Sequence, residues 1–268
     1  MATKAFSCPL DVRQAIRANR LTGFASRALP GYLCVNVVFM HRQYAQDFAA
    51  FCEANPKPCP LLFTTEPGQT DCPDLAEELD LCTDLGSYDI IRNGGVTEQR
   101  QDVVDLFDED TVTFFIGSSV SFDGLLVDKG LGPAFGPCIQ LTDVDCEPVG
   151  EFHGKMAVTM RSFAPEICDA VWQYTGHFPN CHGAPLGKNN ATELGIKELD
   201  ADMHGRPFEV PAGTDRLYWA CGITPSIVAQ QAELPFMISY TPGHAMITDI
   251  PTESLYVETG DAATSSTP

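Results

Sequence analysis

Apolar residues fall in short, nearly unbroken runs, separated by segments of helical period and by turns rich in Gly and Pro. Ala28-Leu-Pro-Gly-Tyr-Leu-Cys-Val-Asn-Val-Val-Phe39 turns and then runs as a strand, and Leu61-Leu-Phe-Thr-Thr65, Val112-Thr-Phe-Phe-Ile-Gly117, Lys155-Met-Ala-Val-Thr-Met160, Leu217-Tyr-Trp-Ala-Cys221, Phe236-Met-Ile-Ser-Tyr240 and Met246-Ile-Thr248 read as strands. Helices are predicted over 11–20, 41–54 and 164–175. In the second of these, Tyr44, Phe48, Phe51 and Cys52 recur at i, i+4, i+7 and i+8. It must stop near Asn55, because Pro56 disfavours the helical region for the residue before it. Asn93-Gly94 between Tyr88-Asp-Ile-Ile-Arg92 and Val96 predicts a hairpin. Strands alternating with helices define an α/β protein. The expected architecture is a mixed-sheet α/β core from 1–110 with 217–259, a smaller inserted α+β subdomain at 111–216, and a disordered tail at 260–268.

Two junctions share one design. Leu217 to Cys221 ends at Gly222 and leads into Ile223-Thr-Pro-Ser226, with Thr224 placed to cap a helix and Pro225 at its first position. Val112 to Gly117 leads into Ser118-Ser-Val-Ser-Phe-Asp123, where Ser118 or Ser119 would cap and Asp123 would lie about one turn in. Such junctions aim free backbone N–H groups beyond the strand end, a setting for an anion. The second is no nucleophile elbow of the G-x-S-x-G type, because Ser121 stands at the last glycine. The pair reads either as one pocket built at strand ends or as two ordinary capped helices.

Composition narrows the functional classes. The 268 residues carry a formal charge of −20, with six basic residues against Asp11 alone in 1–42 and fourteen acids against Arg92 and Arg100 in 66–110. A chain this acidic offers no broad basic surface for nucleic acid. The basic arm can pair with the acidic stretch, within one chain or across a homodimer. No apolar run approaches the roughly 20 residues that span a bilayer, and no apolar signal segment precedes Asp11, so a cytoplasmic protein is expected. The eleven cysteines include no C-x-x-C pair; they read as small buried hydrophobes rather than zinc ligands or disulfides, and neither metal nor cofactor is expected.

Several residues stand out against their surroundings. Asn36 is a polar exception in an apolar strand, satisfying backbone groups there or facing a pocket. Lys57, in the stiff loop Asn55-Pro-Lys-Pro-Cys-Pro60, is an anion ligand or a solvent-facing connector residue. Arg161 is expected at the end of its strand. His182-Gly-Ala-Pro185 and Thr241-Pro-Gly-His244 are constrained turns that each carry an imidazole, as surface turns or as functional groups. Cys221 reads either as a nucleophile or as packing.

In their order along the chain these segments resemble the D-glutamate cyclase family, many of whose members carry hydro-lyase names. The resemblance rests on Leu29-Pro-Gly-Tyr32 with Asn36, Asn55-Pro-Lys-Pro-Cys-Pro-Leu61, Phe115-Ile-Gly117 with Ser119 and Ser121-Phe122, and Met160-Arg161. It continues through His182-Gly-Ala-Pro185, Trp219-Ala-Cys-Gly-Ile-Thr-Pro225, and Pro242-Gly-His244 with Thr248-Asp249, covering about residues 10–250. It implies an enzyme that removes water, with cyclisation of D-glutamate to 5-oxo-D-proline as the named reaction. That chemistry needs held carboxylates, a base for the amine and donors for an oxyanion. Under the resemblance His182, His244, Asp123 and Asp249 are the catalytic candidates. Asn36, Lys57, Ser119, Arg161, Cys221, Thr224 and Tyr240 are the substrate-binding ones.

Departures from the family pattern fall in the same blocks. Cys34 stands for Gln, Gly117-Ser-Ser-Val-Ser-Phe-Asp123 for Gly-Cys-Ser-Phe-Ser-Phe-Glu, and Ser226 for Gln. Tyr240 stands for His, and the second His after His182-Gly-Ala-Pro185 is missing. Three readings follow. The chain is a water-eliminating lyase or cyclase of a small amino or hydroxy carboxylate. Alternatively, it is a divergent cyclase, isomerase or dehydratase of a specialised biosynthetic pathway with a larger, less polar substrate. The third reading is a non-catalytic binding protein on the same fold.

Overall fold

The computed structural model describes residues 6–24 and 28–258; the expected disordered tail at 260–268 lies outside the described residues. Helix α1 spans Pro9–Arg17, starting before Asp11 because Pro9 suits a first helical turn. Strand β1 (Tyr32–His41) leads through a 3₁₀ turn into α2 (Ala45–Ala54), which stops at Asn55 as expected. Then come β2 (Leu61–Thr64), β3 (Tyr88–Arg92), β4 (Gly95–Arg100) and β5 (Thr111–Gly117). The β3–β4 hairpin turns on Asn93 and Gly94, both with positive φ (48° and 78°), as a type I′ turn requires. After β5 a 3₁₀ turn, Ser119–Phe122, opens the short α3 (Asp123–Asp128).

The rest of the chain supplies β6 (Phe135–Asp145), β7 (Lys155–Phe163), α4 (Cys168–Gly176), β8 (Gly187–Lys188) and β9 (Asp215–Ala220). It closes with α5 (Thr224–Gln231), β10 (Met237–Tyr240) and β11 (Met246–Pro251). The α/β class holds. Seven strands form one sheet in the order β2-β5-β1-β10-β3-β4, with β11 also on β1, and four form a second in the order β6-β7-β9-β8. Pairing is antiparallel in both.

Strand β1 explains its own sequence. Leu33, Val35, Val37 and Phe39 enter one apolar cluster, while Val38 and Met40 enter another and Cys34 a third. Both faces are covered, so the run is almost wholly apolar instead of alternating. Asn36 lies on the even-numbered face, between Cys34 and Val38, where two clusters leave a gap. The edge opposite β5 is divided in the same place. β10 pairs with Val38–Met40 and β11 with Tyr32, Cys34 and Val35, so the connecting residues 241–245 swing out beside Asn36.

Two sequence expectations shift. Arg161 is not at a strand end but inside β7, opposite Leu217 of β9. Thr224 is not the N-cap, which falls on Ile223; its hydroxyl turns back to the Cys221 carbonyl at 2.7 Å and accepts the Ala157 N–H at 3.0 Å.

The basic arm pairs with the acidic stretch within one chain. Arg13, fully buried, donates to both oxygens of Asp249 (2.8 and 3.2 Å) and to the Glu77 and Ile247 carbonyls; Asp84 lies 3.9 Å from its Nε and also receives Arg17. All eleven cysteines are free, and nine are buried. Among the described residues no helix is long and apolar enough to cross a membrane, and no group of three or more His, Cys, Asp or Glu side chains gathers as a metal-ligand set.

Candidate active site

The two glycine-ended strands come together. A methyl group placed on Gly222 would lie 3.0 Å from the Gly117 carbonyl oxygen and 1.9 Å from Nδ2 of Asn36. The last turn of β5, in the first sheet, therefore abuts the last turn of β9, in the second, with the Asn36 amide packed on the bare Gly222 backbone. Gly117 is equally confined, since a methyl there would meet the Asn180 carbonyl oxygen at 1.7 Å. Only glycine lets the strand ends approach this closely.

A cavity of ≈ 220 Å³ opens at this seam. Its floor is Asn36, Ser118, Ser119, Thr159, Cys221 and Gly222; Phe24, Val120, Ile139, Met203, Tyr240 and Pro242 supply apolar walls. Among the described residues the backbone N–H groups of Ser118, Ser119 and Gly222 have no hydrogen-bond acceptor, and neither end of the Asn36 amide has a partner, although that residue is only 3 % exposed. Buried polar groups are normally satisfied, so these unpaired donors set the cavity floor apart from the rest of the interior. The structure thus resolves the two readings of Asn36 in favour of the pocket.

Arg161 lies beneath the floor, fully buried, with its guanidinium over the rings of Phe122 (5.4 Å) and Trp219 (5.3 Å). It pairs with Asp123 at 2.9 Å and donates through Nη2 to the Ser119 hydroxyl at 3.2 Å. Cys221 lines the cavity, and burial pushes its thiol up, which disfavours the reactive thiolate. Burial likewise holds the Tyr240 hydroxyl protonated.

The other sequence candidates stand apart from the cavity. His182 is buried behind Gly117 in a left-handed conformation (φ 74°), unusual for a residue with a side chain. Its Nδ1 bonds the Lys57 carbonyl at 2.9 Å. A carbonyl only accepts, so Nδ1 carries the proton and Nε2, which has no hydrogen bond, is left as a lone pair. Burial, with the charges of Lys57 and Arg161, pushes the ring down to about 4, so it is neutral at pH 7. The Lys57 ammonium donates to the Ala184 carbonyl at 2.7 Å without a carboxylate partner among the described residues, and burial lowers its pKa. His244 makes an edge contact with Phe24 (5.7 Å) and lines a neighbouring groove instead. Asp249 is not brought to the cavity: its carboxylate is taken by Arg13 and by the Glu77 N–H at 2.8 Å. Thr224 is fully buried in the junction.

Sequence reasoning missed Phe24, Thr159 and the loop bearing Asp202, Met203, His204 and Arg206, all of which line the cavity. Thr159 carried the same signal as Asn36, a polar residue inside an apolar run. The loop reaches the cavity only through the fold, where the Met203 N–H bonds the Ile139 carbonyl at 2.8 Å.

Paired strand ends with donors facing one cavity define an α/β protein with a donor-lined cavity at the seam between its sheets. The chain belongs to the D-glutamate cyclase family, whose sequence model matches residues 112–249. It is 36% identical over 254 residues to a Methylobacterium radiotolerans protein named "Putative hydro-lyase", covering 93% of this chain and 94% of that one. A Bacillus subtilis protein of the same description is also 36% identical over 254 residues, covering 93% of this chain and 99% of the relative. A Staphylococcus carnosus relative is 35% identical over 247 residues, with 90% and 94% covered.

Proposed function

We propose that the seam cavity removes water from a small amino or hydroxy carboxylate, in the manner of D-glutamate cyclising to 5-oxo-D-proline. The observation that carries this reading is the convergence of unpaired donors from Ser118, Ser119, Gly222 and Asn36 on one buried floor. In the cyclisation the amine nitrogen attacks the side-chain carboxyl carbon, a C–N bond forms, and the carboxyl C–O bond breaks to release water. The carboxyl oxygen that gains charge on the way needs fixed donors in a dry site, and the two strand ends supply them. The family and the relatives' names support the same class of reaction.

One feature favours a second reading, a larger and less polar substrate. The walls above the floor are apolar, with Val120 and Tyr240 among them at positions that depart from the family pattern, and Cys34 buried beneath with Val120. Mass spectrometry of the protein incubated separately with D-glutamate, L-glutamate and a panel of hydroxy and amino acids separates the two. Loss of one water from D-glutamate supports the first reading. An unchanged panel in the presence of folded protein rejects it.

A further inference from the structure

The cavity floor has a polarity of its own. Ser119 lines it and is only 3 % exposed, and its oxygen accepts from Nη2 of Arg161 at 3.2 Å. A hydroxyl has one proton and two lone pairs. With the guanidinium on one lone pair, the proton is directed away from Arg161, and no acceptor for it occurs among the described residues. Arg161 cannot swing aside: it is wholly buried, lies over the Phe122 and Trp219 rings, and is paired with Asp123 at 2.9 Å and 3.1 Å. Beside Ser119 stands the second observation, the unpartnered Asn36 amide, whose Nδ2 is fixed against Gly222.

We propose that Ser119, aimed by Arg161, and Asn36 form a carboxylate subsite in the cavity floor, with Ser119 the hydroxyl donor and Arg161 its positioning residue. The inference deepens the dehydration reading, on which it rests for the choice of a small acid as ligand. It also fixes the substrate's orientation, with a carboxylate on the Ser119–Asn36 side and the less polar part toward Val120, Ile139 and Tyr240. Arg161 therefore acts through Ser119 instead of touching the ligand. Hydrogen bonds to a charged acceptor are roughly twice as strong as neutral ones, so the subsite separates a carboxylate from the isosteric neutral amide.

Titration calorimetry of the full chain with glutarate and with glutaramide tests this. The native protein is expected to bind glutarate at least tenfold more tightly than the diamide. Ser119→Ala should lose most of that preference, and Ser119→Thr, which restores the hydroxyl, should keep it. Arg161→Lys should lose it as well; if that variant fails to fold, the two Ser119 variants decide the matter alone. A native protein without the preference, or one whose preference survives in Ser119→Ala, overturns the subsite. A protein that prefers glutarate yet leaves D-glutamate unchanged retains the subsite and loses the dehydration reading. One that converts D-glutamate while Ser119→Ala discriminates normally does the reverse.

Discussion

Two arginines, Arg13 and Arg161, are both fully buried and both held by an aspartate, yet their surroundings differ in kind. Arg13 is enclosed by acceptors. Asp249 takes two of its bonds, the Glu77 and Ile247 carbonyls two more, and Asp84 stands near its Nε. Arg161 has Asp123 and one hydroxyl, two aromatic faces, and an Nη1 with no hydrogen-bond partner. The first is a clamp between α1, the acidic stretch and β11. The second stands beneath a cavity whose own donors are unpaired. Arg13, whose Nε alone lacks a hydrogen bond, ties the fold together; Arg161, with both Nε and Nη1 unbonded, stands next to further unmatched donors.

The sharpest way to break this comparison is to remove the clamp. Arg13→Met leaves the partly exposed Asp249 without its partner and the buried Asp84 short of one neighbouring cation. Denaturant unfolding should therefore show a loss of about 3 kcal/mol, the low end for a buried pair, while the glutarate preference per folded molecule stays unchanged. A lost preference with stability intact would make Arg13 part of the site.

The next effect is set by pH. His182 titrates at about 4 in the folded chain against about 6.5 when unfolded. The unfolded state therefore binds the extra proton between these values, and stability rises with pH through the window. It is fully present above about pH 6.5 and lost progressively toward pH 4, by up to about 3 kcal/mol. Unfolding measured between pH 7 and 4 in native and His182→Gln protein should show the slope reduced in the variant; equal slopes contradict the buried neutral ring.

Asp249→Asn keeps the shape but weakens the charge-assisted bonds to Arg13, at a cost of about 1.5–3 kcal/mol in unfolding. Turnover and binding should be unaffected, because the residue stands in the clamp and not in the cavity. The smallest effect belongs to Arg206→Ala at the cavity mouth. Its exposed pair with Asp202 (2.7 Å) contributes no more than about 1 kcal/mol, so thermal melts of the two proteins should nearly superimpose.

Much of the scaffold was legible because it is written locally. Apolar runs gave β1, β5 and β9, the Asn93-Gly94 pair gave its hairpin, and Pro56 marked the end of α2. Strand β6 was not legible: Gly136 and Pro137 interrupt its start, and its residues are mostly only half-buried, which blurs both strand periodicities. At the site, the two glycine-ended junctions and Asn36 could be read from sequence, since each breaks an apolar pattern at a definite point. The partners of the charged residues could not. Asp249 finds Arg13 across 236 positions, and His244 lies next to cavity residues in sequence while facing another groove. Such pairings are fixed by topology, on which neither composition nor spacing bears.

The most direct test of the account is the conversion of D-glutamate by native and Gly222→Ala protein, followed by mass spectrometry alongside an unfolding curve for each. The added methyl would meet the Asn36 amide at 1.9 Å and the Gly117 carbonyl oxygen at 3.0 Å. The side chain must turn and the strand ends must part by a few tenths of an ångström, which disrupts the floor; the unfolding curve reports whether the fold is kept. The account predicts 5-oxo-D-proline from the native chain and at least a hundredfold less from the variant, with both proteins folded. Undiminished conversion by folded Gly222→Ala protein would place the chemistry elsewhere and contradict it.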